Sequence, residues 1–537
     1  MRRLITLCVL VTAASVGWWV RAQLATNPPP MAAGVPAGAL LYLEAKDFGK
    51  LLGEWNSSQE KAKWLGSANY DVLSRSRLIG RLQQAQVELE QTAGVSAQMK
   101  LLEQVAGTRS AFAFYNLGAL KFVYVTHLDH GRIEASDLWK QRAQYQPREA
   151  AGIAFYVKQD AQNGRTVAFA SKDDVFAIAT DESLMATTLE LLVGQPAPSL
   201  AKAGWFQNIT AGRRQGDLRL VYDLQTTENT PQFRTYWIHE NETELKEYAT
   251  GISDVFETSA GFEEQRVLVR AQPSQAPNAS AAIETLLSAV APNDSLYQAW
   301  ANPSKQQLAV SLAQVVYGEA PAPNPLADQI APVAPAGFVQ PAYAPGLETR
   351  IDQPPITKEA RKPIDTLVDT ITAMQPAALL HVQSTVALRD GVFIVPESAV
   401  AIACARADAD AVERALHNLL GAAVESGGLD PLTVRVEGNV LVIGRGAGLI
   451  GNVNAQSQAT PVTYAAGYNH AAEWPKYTRL FRLIDGPAGG VRAQGQPAFF
   501  ANNIQSLGDA LSRLQRASLK RTDNGNGIAE TVVYEMK

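Results

Sequence analysis

Cysteine is almost missing from this chain: Cys8 and Cys404 are the only two in 537 residues. That excludes a disulfide framework, a four-thiolate zinc site and a CxxC redox pair. Histidine is scarce as well, with six in all, so metalloenzyme chemistry is poorly supplied. There is no cationic excess either. Lys and Arg number 47 against 52 Asp and Glu, for a formal charge of −5, whereas binding a phosphate backbone draws on clustered positive charge. No nucleic-acid partner is expected. Beyond residue 20 no stretch is apolar enough to cross a bilayer as a helix. The strand-like Val533-Tyr534-Glu535-Met536-Lys537 lacks the lipid-facing alternation of an outer-membrane barrel.

What the chain does hold is apolar mass, at 46% hydrophobic and 18% charged residues. It is too long for one core and too apolar for disorder, so two to four folded units are expected. Met1-Arg2-Arg3, an uncharged run from Leu4 to Val20, and Val20-Arg21-Ala22 before Gln23 have the layout of a cleavable signal peptide or, left uncut, of a membrane anchor. Cleavage after residue 22 removes three arginines and no acid, which takes the formal charge from −5 to −8. Leu7 is too bulky for Ile5-Thr6-Leu7-Cys8 to serve as a lipobox. The expected address is therefore outside the cytosol, periplasmic or secreted, with contact to a membrane only through residues 1–22. Asn27-Pro28-Pro29-Pro30 and Met31-Ala32-Ala33-Gly34 make residues 23–35 a predicted stalk.

The remainder reads as two copies of one plan, a possibility to be tested before any motif is trusted. A strand at residues 39–44 running into a helix is echoed by a strand at 295–300 and a helix at 305–314. A strand at 123–128 with a helix through Trp139 is echoed by Val400 to Cys404 with a helix through His417. Hairpins follow at 166–179 and 433–443, with turns at Lys172-Asp173 and Glu437-Gly438. Strands at 218–222 and 462–466 lead to Pro231 and Pro475, each expected in the first turn of a helix. Segments 251–256 and 507–511 then open into closing strands at 265–269 and 530–534. The expected fold class is α+β, as two tandem related copies, each a mostly antiparallel sheet packed with long helices. Copy one covers 36–273, 274–292 is a junction, and copy two covers 293–537. Copy two carries an insertion at 319–356 that holds nine of the 29 prolines and so favours extended conformation.

The motifs with chemical potential each have a plainer explanation. Gly446-Ala447-Gly448-Leu449-Ile450-Gly451 matches GxGxxG, but it follows the second arm of a hairpin and is expected to be a tight turn before a short helix. Asp410, Glu413 and His417 share one helix face with a single imidazole, which suits a solvated face better than zinc. His127 and His130 lie in turn context, and the acidic stretch from His239 to Glu244 lacks a second histidine. Ser58 and Lys61 satisfy SxxK without its partner motifs. Ser57 and Glu60 are expected to form a capping box. Cys404 sits among Ile402, Ala403 and Ala405 as a buried, inert thiol. Leu73, Arg75, Arg77, Leu78, Arg81 and Leu82 sort into an apolar stripe with an arginine side, as for a helix lying on a sheet. Trp55, Trp64, Trp139, Trp205, Trp237, Trp300 and Trp474 are expected to anchor cores. No catalytic residue, cofactor-binding residue or metal ligand is assigned.

The run Pro36-Ala37-Gly38-Ala39-Leu40-Leu41-Tyr42-Leu43-Glu44-Ala45-Lys46-Asp47-Phe48, then Trp55, Trp64-Leu65, Ser74-Arg75-Ser76-Arg77-Leu78 and Ala168-Phe169-Ala170, resembles a family of exported bacterial proteins known only as a domain of unknown function. The resemblance covers most of copy one, and copy two departs from it at its first strand. It implies no activity, ligand or catalytic residue. The expected function is a non-enzymatic binding or scaffold module of the cell envelope, its partner an envelope protein or polymer. The alternatives are an envelope-polymer hydrolase with dispersed carboxylates and a periplasmic assembly factor.

Overall fold

A computed structural model of the chain describes residues 30–96, 98–116, 118–231, 244–290, 296–317, 364–388, 393–420, 432–445, 448–453, 460–485 and 505–537. The segment expected as a leader, the insertion at 319–356, residues 232–243 and Gly446-Ala447 lie outside the described residues. The protein is α+β, and it divides into two compact units. The first comprises Met1–Gly66, Tyr70–Glu257 and Glu264–Ser274, and the second Ser67–Asn69, Thr258–Glu263 and Gln275–Lys537.

The strands of the first unit are β1 (Leu41–Lys46), β2 (Arg109–Asn116), β3 (Lys121–His127), β4 (Gln146–Ala150), β5 (Ile153–Gln159), β6 (Thr166–Lys172), β7 (Val175–Ala179), β8 (Leu218–Asp223), β9 (Tyr248–Thr258) and β10 (Gly261–Arg270). They pair in the order β10-β9-β8-β1-β2-β3-β7-β6-β5-β4. The ladders from β9 through β4 are all antiparallel. Because successive side chains alternate across a sheet, one strand feeds two cores. Ala168 and Ala170 of β6 enter one cluster with Tyr42, Val125 and Ile252, while Val167 and Phe169 enter another with Tyr124 and Phe176. Phe169 meets Trp139, Tyr145 and Tyr156 with ring centroids 6.0, 4.9 and 5.5 Å away. Each such contact is worth about 0.5–1.5 kcal/mol beyond simple burial.

Helices cover both faces. On one side lie α1 (Phe48–Ser57), α4 (Arg77–Ala93), α5 (Met99–Val105), α6 (His130–Ala135) and α7 (Asp137–Lys140), with α2 (Gln59–Leu65) and α3 (Ala68–Ser74) between α1 and α4 in the chain. Side chains from α4 to α7 reach the aromatic cluster. On the other side lie α8 (Glu182–Leu192), α9 (Gly204–Thr210) and a 3-10 turn at Met31–Gly34, with α10 (Leu224–Glu228) following β8. That 3-10 turn corrects the expectation of a stalk through residue 35: Met31, Ala32 and Val35 are buried in the core. Their apolar side chains gain more from burial than a Pro-flanked spacer gains from solvation.

The second unit holds β11 (Leu296–Ala301), β12 (Pro376–Leu388), β13 (Phe393–Cys404), β14 (Leu432–Glu437), β15 (Val440–Arg445), β16 (Tyr464–Asn469), β17 (Leu514–Asp523) and β18 (Gly527–Met536). Their order is β18-β17-β16-β11-β12-β13-β15-β14, antiparallel throughout. Its helices are α11 (Ala282–Leu287), α12 (Lys305–Tyr317), α13 (Asp365–Ala373), α14 (Ala409–Leu420), α15 (His470–Asp485) and α16 (Ser506–Ala510). Ile283 and Leu286 of α11 are fully buried against this sheet. Residues 282–290 of the expected junction are therefore part of the second unit's core, which corrects that boundary.

Read from β10 to β6 and from β18 to β14, the two sheets have the same strand order, and the first adds the β4-β5 hairpin. Smaller features coincide. The residue after the first strand is left-handed in both, Asp47 (φ 49°) and Asn302 (φ 45°). The Asp47 N–H donates to Thr108 and the Asn302 N–H to Ala377, each residue near the start of the next strand in the sheet. The hairpin turns place Asp173 (φ 54°) and Gly438 (φ 59°) in matching positions, a conformation that glycine adopts freely and aspartate tolerates. One expected match fails: 251–256 belongs to strand β9, whereas 507–511 falls in and just after helix α16. The counterpart of β9 in the order is β17.

Candidate functional site

Among the residues singled out by motif, the structure mostly finds structural partners. Asp410, Glu413 and His417 do share one face of α14, and with Arg414 and Asn418 they line a surface depression of about 640 Å³. Val412, Ala415 and Leu416 point the other way into the core. Among the described residues no group of three or more His, Cys, Asp or Glu is placed to hold a metal ion. His127 and His130 are not brought together on one ligand: Nδ1 of His127 lies 3.1 Å from Asp174, and Nε2 of His130 lies 3.6 Å from Glu134.

Gly448 adopts φ 98° and leads into buried Leu449 and Ile450, with Ile450 bridged to Val290. No helix follows among the described residues up to 453, which corrects the expected turn-then-helix and leaves no helix N-terminus for a pyrophosphate. The expected capping box of Ser57 and Glu60 does not form, because the helix starts one residue later and Lys61, not an acid or amide, stands three past the cap. Ser57 ends α1 and donates to Gly53 O, whereas Ser58 caps α2 by accepting from the Lys61 N–H at 3.1 Å. The SxxK serine is thus a helix cap. Cys404 is buried, and burial raises its thiol to about 11. Pro475 is not in a first turn: α15 begins at His470, with Asn469 Oδ1 accepting from the Ala472 N–H. Asp181 caps α8, accepting from the N–H groups of Ser183 and Leu184.

Sequence reasoning missed two buried polar groupings. In the first unit Glu44, Arg219 and Asp254 lie in register on neighbouring strands. Arg219 grips Asp254 with Nε and Nη2 at 2.7 and 3.0 Å, while Glu44 accepts from Tyr42 at 2.7 Å and from Arg109 Nε at 2.8 Å. Burial, and then the Glu44 carboxylate beside it, push the Tyr42 phenol well above its ordinary value. A signal was present: Glu44, Arg219 and Asp254 each share the parity of a buried apolar residue two positions away on the same strand, Tyr42, Val221 and Ile252. In the second unit His381 Nε2 lies 2.6 Å from Ser398 Oγ, both side chains buried. The contact has the length of a nucleophile–base pair, but both side chains are enclosed in the core, and burial lowers His381 to about 4, which makes it a weak base.

Six exposed apolar side chains lie on the successive helices α1 to α4. Trp55, Leu65, Val72, Leu73, Leu82 and Val87 are all exposed there, and neither α2 nor α3 buries a single residue. The expected stripe from Leu73 to Leu82 is not one helix. Ser76 breaks it by capping α4, accepting from the Ile79 N–H, and α4 runs to Gly94, whose φ of 68° ends it. Trp139 does anchor a core, whereas Trp55 does not. No helix among the described residues is long and apolar enough to cross a membrane.

No family model matches the chain, and no curated protein matches it. Among solved structures it is similar to two described as crystal forms of TP0453. Form IV is 10% identical, covering 46% of this chain and 82% of that one at a TM-score of 0.26. Form I is 13% identical, covering 49% and 86% at a TM-score of 0.25. A likeness at that level carries no argument about this chain.

Proposed function

We propose that the chain is an exported, non-enzymatic interaction module of the cell envelope, periplasmic or secreted, built by duplication of one α+β unit. The leader-like residues 1–22 support export, and the common strand order with its paired left-handed turns supports the duplication. One observation carries the binding role: the layer α1 to α4 holds six large apolar side chains in water. Apolar side chains exposed on four successive helices are the kind of surface that marks an interaction site. The buried ionisable groups pull the same way, because Glu44 is paired with Arg109 and Asp254 with Arg219, each within the sheet.

The experiment places a photo-crosslinking amino acid at Leu82, and separately at His417 on the second unit, in cells that make the full chain. Adducts from position 82 in the envelope fraction, without adducts from 417, are the expected result. Equal adducts from both positions, none from 82, or a chain recovered in the cytosol would refute the proposal.

A further inference from the structure

We infer that the occupant of this helical layer is the anionic lipid surface of a membrane, a step that rests on the binding role proposed above. The first ground is α4 itself. Leu82, Ala85, Leu89 and Ala93 recur at spacings of three and four, which makes one stripe on one side of the helix. The stripe outruns its sheet. Ala85 and Ala93 are buried and Leu89 packs on the aromatic cluster, but Leu82, on the same stripe, is 48% exposed. In α3 Val72 and Leu73 stand 64% and 41% exposed. A seven-residue helix and the first turns of a longer one thus carry apolar side chains outward in succession, the pattern of segments that lie in an interface plane.

The second ground is charge. Residues 58–82 hold Lys61, Lys63, Arg75, Arg77 and Arg81 against Glu60 and Asp71, an excess of three positive charges in a chain whose formal charge is −5. The pairing of Arg75 with Asp71 removes one of each and leaves the excess unchanged. Only this part of the exposed apolar layer carries such an excess, and lysines beside apolar side chains suit anionic headgroups better than the centre of a protein interface, where lysine is depleted.

Hydrogen exchange of the full chain with vesicles tests the inference. One set contains phosphatidylglycerol and the other only phosphatidylcholine. Because residues 1–22 can carry the chain to either vesicle, the comparison between lipids isolates the helical layer. Amides within 59–82 are expected to slow only with the anionic lipid, and to lose that protection in about 0.5 M salt. Leu82→Glu and Val72→Glu, both at exposed sites, are expected to keep the parent melting temperature and each to weaken that layer's anionic-lipid protection about tenfold. Equal protection with both lipids, protection in neither, or unchanged binding by both variants overturns the inference. Should Leu82 crosslink in cells while the vesicles leave 59–82 unprotected, the partner is a protein or polymer, and the binding role survives without the lipid. Failure of both experiments removes both.

Discussion

Acid should loosen the second sheet through one imidazole. His381 sits in β12 with its ring 2.6 Å from Ser398 and is 5% exposed. Burial lowers it from 6.5 to about 4, so between those values the unfolded chain binds a proton that the folded chain refuses. Stability therefore falls as pH drops through that window and is flat above it. Linkage with these two values makes the loss about 2 kcal/mol between pH 7.5 and pH 5, approaching roughly 3 kcal/mol below pH 4. Hydrogen exchange of peptides from β12 and β13, corrected for the intrinsic rate at each pH, reads this locally and avoids treating two units as one transition. In His381→Gln, whose amide can still bond Ser398, the pH dependence of those peptides should nearly vanish. Burial also lowers His470, so its substitution should leave the β12–β13 loss in place. Asp181 does not intrude: burial alone would raise it, but bonds from Lys121, Ser183 and the Leu184 N–H hold it at about 2, and its own loss falls below pH 4. Equal protection of the parent at pH 5 and 7.5, or the same loss in the variant, refutes the reasoning.

Two further outcomes can be checked on the same protein. Asp254→Ala leaves the Arg219 guanidinium buried without its bidentate partner and takes the acceptor from the Gly216 N–H, so urea unfolding of the first unit should lose about 3–5 kcal/mol. The double variant Asp254→Leu with Arg219→Met should recover most of it, and a harmless single variant would show the pair to be idle. At pH 8 the Cys404 thiol, pushed up to about 11 by burial, should take up iodoacetamide only after unfolding, with the labelled cysteine identified by mass spectrometry. Rapid labelling of Cys404 in the native protein contradicts its placement in the core.

The two hairpins were legible in the sequence, because β-branched and aromatic residues alternate there on either side of turn residues. Helix ends were less legible. Ser57 and Ser58 are chemically equal as caps, and only the last turn of α1 decides between them. Pro475 was read as a first-turn residue because the proline outweighed Asn469, a good capping residue six positions earlier, and it is Asn469 that starts the helix. Apolar periodicity is weaker still as a guide to the binding layer. It reports that a helix has an apolar side and is silent about what lies opposite. Leu82 and Leu89 occupy one stripe of α4, seven residues and two turns apart, yet Leu89 meets the sheet and Leu82 meets solvent. The strands on which α4 packs, β5 and β6, lie more than sixty residues further along the chain than Leu89. A stripe that continues past its own sheet is what a second surface requires, and sequence alone assigns the whole of it to the core.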